Sequence, residues 1–75
     1  MSNDAGSDSL VAGIGLIAGK IWQTLDAEGP LSFGKLVKKV GVPRDSVMQG
    51  LGWLAREGKI RIVEQGRSRI VSLGE

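Results

Sequence analysis

Ten lysine and arginine side chains are the groups of this 75-residue chain best equipped for chemistry, and that chemistry is the pairing of fixed positive charge with anions. All ten lie between Lys20 and Arg69. The formal net charge is only +2, but Asp4 and Asp8 sit in the first eight residues. From Leu10 onward ten basic residues minus six acidic ones leave +4. A basic excess on a small domain suits a polyanion such as nucleic acid, and it serves solubility equally well.

Covalent and acid–base chemistry finds no support. The chain holds neither Cys nor His, which excludes disulfides, thiolate or imidazole catalysis and the commonest transition-metal ligand sets. Its Ser and Asp residues have no visible base or cleft to activate them. No enzyme, cofactor or metal is therefore expected. Asp26-Ala-Glu28 would hold a cation only weakly and reads more simply as a solvated turn. Two glycine patterns are decoys. Gly13-Ile-Gly15-Leu-Ile-Ala18 fits a dinucleotide fingerprint superficially, but no strand precedes it. Gly19-Lys20 lacks a phosphate loop's leading glycine, because position 14 is Ile, and Ile21 replaces its Ser or Thr.

The elements that must hold the basic groups come from one small core. A composition of 41% hydrophobic and 24% charged residues suits one soluble globular domain. Trp22, Phe33 and Trp53 are the only aromatic residues, so that core is mainly aliphatic and gives about a few kcal/mol of stability. Self-association is an inexpensive source of further burial. Met1-Ser-Asn-Asp carries no positive leader region, and Leu10 to Ala18 is far shorter than a bilayer span. The expectation is a cytoplasmic protein without a membrane partner.

Residues 1–8 read as a disordered tail and residues 9–75 as the folded domain. Asp8 or Ser9 is expected to cap a first helix whose inner face is Ile14, Ala18, Ile21 and Leu25. Gly29 and Pro30 stop it near Ala27. Leu31 suggests a strand of one or two residues, and Ser32 the N-cap of a second helix with Leu36 and Val40 inward. Gly41 supplies a left-handed turn, and Pro43 suits the first position of a third helix. That helix buries Val47, Leu51 and Leu54 and ends at Glu57-Gly58. Two β-branched runs around Glu64-Gln-Gly-Arg-Ser68 predict a hairpin. The order is α+β: a winged helix-turn-helix of three helices, a small antiparallel sheet and a β-hairpin wing.

The span Asp45 to Ile60 resembles the winged helix-turn-helix domains of bacterial and archaeal regulators in layout. More narrowly, Ala18-Gly-Lys-Ile-Trp22 with Gly52-Trp-Leu-Ala-Arg-Glu-Gly-Lys-Ile60 resembles a family of small stand-alone prokaryotic winged-helix proteins without an established biochemical role. The resemblance implies that the third helix reads double-stranded DNA and that the wing touches its backbone. On that mapping Arg44, Asp45, Ser46 and Gln49, with Trp53 beside them, are the reading positions, Gln49 suited to adenine and Arg44 to a guanine edge or a phosphate. Lys35, Lys38 and Lys39 on the second helix, and Arg61, Arg67 and Arg69 on the wing, are implied to neutralise phosphates. Asp45 would repel phosphate, and Met48, Gly50 and Gly52 offer no hydrogen bonds. Related regulators usually carry Arg or Lys where Gln49 and Trp53 stand.

Two protein-contact readings stand beside the DNA reading. Leu10, Val11, Leu16 and Ile17 lie outside the inner stripe of the first helix, and a helix apolar nearly all round is usually covered on more than one side. That pattern suggests a homodimer contact; the simpler alternative folds those side chains back on their own domain. Trp53 lies beside the core row of the third helix. It suits packing against the wing, a protein partner, or a base, in that order. The expected function is a DNA-binding regulator or chromatin-associated factor. The alternative is a protein-interaction module docking through Trp53 and the small residues of the third helix.

Overall fold

The computed structural model describes residues 3–74, with side chains placed from Leu10 onward. Helices α1 (Asn3–Glu28), α2 (Phe33–Val40) and α3 (Arg44–Arg56) combine with strands β1 (Leu31–Ser32), β2 (Ile60–Gln65) and β3 (Ser68–Leu73). The sheet is antiparallel in the order β1-β3-β2. This is the winged helix-turn-helix arrangement, with β2 and β3 as the wing.

Ala18, Ile21 and Leu25 of α1 close on Leu36 and Val40 of α2, on Val47, Leu51 and Leu54 of α3, and on Ile60 and Val71 of the sheet. All three α1 residues fall in the second half of that helix. At about 1.5 Å per residue its 26 residues span about 39 Å, whereas the body measures 24 × 22 Å in cross-section. The first half of α1 therefore overhangs the core, and Ile14, expected on the inner face, is only half-buried.

The start of α1 differs from expectation. Helix begins at Asn3, so Asp8 and Ser9 fall inside it rather than capping it. Asn3 to Ser9 contains no proline to force a later start. Met1 and Ser2, the rest of the expected tail, lie outside the described residues.

The turn between α2 and α3 follows its residues closely. Ser32 Oγ accepts from Lys35 N at 3.3 Å, and Gly41, at φ 77°, donates to Val37 O at 3.1 Å. Pro43 sits one position earlier than expected. It is the N-cap of α3 at ψ 147°, and its carbonyl accepts the first helical bond from Val47 N at 3.1 Å. The wing is also tighter than expected. Gln65 pairs directly with Ser68, so only Gly66 and Arg67 form the turn, not a five-residue loop. Gly66 has φ 60° and, among the described residues, no non-glycine residue has positive φ. A positive first central residue followed by a negative one is the type II′ pattern, which matches the twist of paired strands.

Gly50 marks a close approach of α3 to α1. A Cβ there would lie 2.8 Å from Ile21 Cδ1, 3.1 Å from Ile17 Cγ2 and 3.3 Å from Ala18 N. Glycine lets α3 rest directly on α1, and that contact sets which side of α3 faces outward.

Candidate nucleic-acid interface

With Val47, Gly50, Leu51 and Leu54 buried, the opposite side of α3 carries Asp45, Gln49, Gly52 and Arg56 at i, i+4, i+7 and i+11, all exposed. Gln49 stands at the centre of this face. Arg56 shares it two turns on, a basic residue the sequence reading left out although the seven-residue spacing from Gln49 points to it. Ser46, one turn before Gly50, is half-buried on the flank that meets α1 and is poorly placed for a base edge.

On the other flank Arg44 opens a concavity of about 360 Å³, which it shares with Ser32, Phe33, Gly34, Arg67, Ser68 and Arg69. Three arginines from the start of α3, the wing turn and β3 thus meet beside the first turn of α2. The Arg69 guanidinium lies over the Phe33 ring at 5.8 Å, and its Nε is 3.5 Å from Glu64 Oε2. Phe33 carries no role in the sequence pattern beyond being one of three aromatic residues. It does pack against the core, and it also orients Arg69.

The remaining basic positions are dispersed. Lys35, Lys38 and Lys39 line a separate groove with Glu28 and Leu31, and Lys39 Nζ is 3.5 Å from Glu28 Oε2. Glu28 thus serves an exposed ion pair that adds little stability. Directly paired residues of a sheet share a face, so Arg61, opposite Ser72, points away from the face that carries Val71, Ile62 and Arg69. Arg61 and Arg69 cannot grip the same phosphate from opposite faces of the wing.

The protein-contact candidates also divide. Leu10, Val11 and Leu16 are exposed, Leu16 to 75%. Ile17 is half-buried against the core beside Gly50, so it belongs to its own domain rather than to a free surface. Trp53 faces α1. It lines a groove of about 330 Å³ with Gly15, Gly19 and Trp22 of α1, and both tryptophans stay about two-fifths exposed. Among the described residues no helix is long and apolar enough to cross a membrane.

Comparison with known proteins agrees with this architecture. A winged helix-turn-helix domain family (DUF2582) matches residues 7–73. The uncharacterised protein MJ1608 of Methanocaldococcus jannaschii is 37% identical over 62 residues, covering 80% of this chain and 89% of its own. The solution structure of BT2368 from Bacteroides thetaiotaomicron superposes with a TM-score of 0.76 at 31% identity, over 83% of this chain and 76% of that one. The PcaV transcriptional regulator from Streptomyces coelicolor shares the fold at a TM-score of 0.72 and 23% identity, over 77% of this chain and 43% of its own. With the helix order, the wing and the family match over residues 7–73 all in agreement, the chain belongs to the winged helix-turn-helix domain (DUF2582) family.

Proposed function

We propose that this protein is a cytoplasmic, non-enzymatic DNA-binding regulator that lays α3 and its wing on duplex DNA as a homodimer. The observation that carries the reading is the continuity of one exposed surface, from Arg56 and Gln49 on α3 to Arg44 and the wing residues Arg67 and Arg69. A shared fold with a transcriptional regulator adds support by analogy only. Gln49 is the one amide side chain on α3 and is able to pair bidentately with adenine, while the arginines act on phosphate whatever the sequence. Binding is accordingly expected to be salt-sensitive and weakly selective.

Dimerisation draws on the first half of α1. Ser9 to Gly19 contains no charged residue, and Leu10, Val11 and Leu16 are exposed along it. An uncharged apolar segment offers nothing to DNA and nothing repulsive to a second copy of itself.

An amide NMR titration with a short random-sequence duplex, at low and at physiological salt, tests the DNA reading. Shifts are expected at Arg44, Gln49, Arg56, Arg67 and Arg69. If three to four phosphates are neutralised, log Kd against log salt should have a slope of about 3. No shifts even at low salt would make the fold a scaffold for protein docking. Trp53 separates the two readings further: Trp53→Ala should keep duplex affinity within about twofold, because Trp53 faces the α1 groove. A large loss of duplex affinity in that variant would move the DNA surface onto the α1 side.

A further inference from the structure

We infer that Arg44, Arg67 and Arg69 form one oxyanion clamp, a site for a single phosphoryl group between the start of α3 and the wing. Three arginines line one concavity of about 360 Å³, and among the described residues Glu64, on Arg69, is the one carboxylate paired with any of them. Such a site carries excess positive charge that an anion relieves. The three are delivered by different local devices. Pro43 fixes the backbone just before Arg44, the two-residue turn presents Arg67, and the Phe33 ring supports Arg69. Ser32 and Ser68 complete the lining, and the positive end of the α2 dipole forms one wall. Arginine suits this role because its planar fork meets phosphate oxygens two at a time.

The lysine groove on α2 is a different kind of surface. Lys39 is already engaged by Glu28, and Leu31 contributes apolar wall. Glu64 makes the arginine clamp adjustable, since its carboxylate competes with an incoming anion for Arg69. For a DNA backbone phosphate this inference rests on the reading above; as an oxyanion site for free phosphate it stands without it.

The test follows the amides of Ser32, Gly34, Arg44 and Ser68 during two titrations of the full chain, one with the random-sequence duplex and one with inorganic phosphate against chloride at matched ionic strength. Arg44→Gln, Arg67→Gln and Arg69→Gln should each weaken duplex binding about fivefold to tenfold. Any two together should cost less than the product of the single effects, because they share one phosphate. Lys59→Gln, which removes a charge elsewhere, should change affinity less than twofold, and Glu64→Gln should tighten it. Phosphate shifts without duplex binding would support the clamp and defeat the DNA reading. Duplex binding with strictly multiplicative losses, and no response to phosphate, would overturn the clamp and leave the DNA reading standing. Neither ligand moving these amides at low salt would overturn the clamp outright.

Discussion

Replacing Gly50 with leucine should leave the domain largely unfolded at room temperature, whereas alanine at Gly52, two residues along the same helix, should raise its melting temperature. The first added carbon at Gly50 meets Ile21 Cδ1 at 2.8 Å, Ile17 Cγ2 at 3.1 Å and the backbone nitrogen of Ala18 at 3.3 Å. Ile21 is fully buried, so its side chain has nowhere to retreat. Overpacking by even a few methylenes costs about 1–3 kcal/mol. A core of this size supplies roughly 3–5 kcal/mol in total, and leucine adds four carbons. Alanine at Gly50 gains about 1 kcal/mol of helix propensity but must part α3 from α1, so a net loss of about 1 kcal/mol is expected. Gly52 has no atom within 4 Å of a Cβ, so alanine there keeps the propensity gain. That corresponds to about 4–8 °C in melting temperature for a domain of this size. Thermal unfolding followed by circular dichroism reads all three variants. A cooperative melt for Gly50→Leu within a few degrees of the parent would mean that α3 does not rest on α1 as described.

Gly50 also shows where the sequence runs out. Read along α3, it is a residue without hydrogen-bonding capacity on the helix meant to read DNA. Only the packing reveals that it lies on the inner side and brings two backbones together. Local signals were legible because their causes are local. The row Val47, Leu51 and Leu54 gives the buried face of α3, and Ser32 and Gly41 give the ends of α2. Arg44, Arg67 and Arg69 are each visible as basic residues, but their meeting depends on the exact length of the wing. A five-residue loop would have carried Arg67 elsewhere; the two-residue turn at Gly66-Arg67 sets it beside Arg44. The fate of Ile17 was illegible for a related reason. An apolar residue off the main stripe of a helix looks unpartnered until the glycine on the facing helix is known. The early start of α1 runs through seven residues without a proline, an absence that carries less weight in a sequence than a proline or a cap.

Leu16→Glu should convert a sedimenting dimer into a monomer while leaving the melting temperature of the domain within a few degrees. Leu16 is 75% exposed and makes no part of the core, so the folded monomer has little to lose. Covering a leucine against a second copy is worth about 1.5–3 kcal/mol. A two-fold interface counts each substitution twice, and the new carboxylates would face an uncharged apolar surface with no cation to pair with. The combined loss of about 5 kcal/mol corresponds to a dimer dissociation constant raised by three to four orders of magnitude. Gly15 and Gly19 sharpen the test, since both have open space around them in the monomer. Alanine at either should stabilise an isolated chain through helix propensity, yet weaken a dimer in which a second helix approaches that backbone. A monomer mass for the parent at every concentration in sedimentation equilibrium would remove the dimer. The Trp22–Trp53 groove and the exposed Leu10, Val11 and Leu16 would then call for a different protein partner. If Leu16→Glu does separate the copies, its duplex affinity should fall as well, because a monomer engages one half of a site that two linked wings hold together.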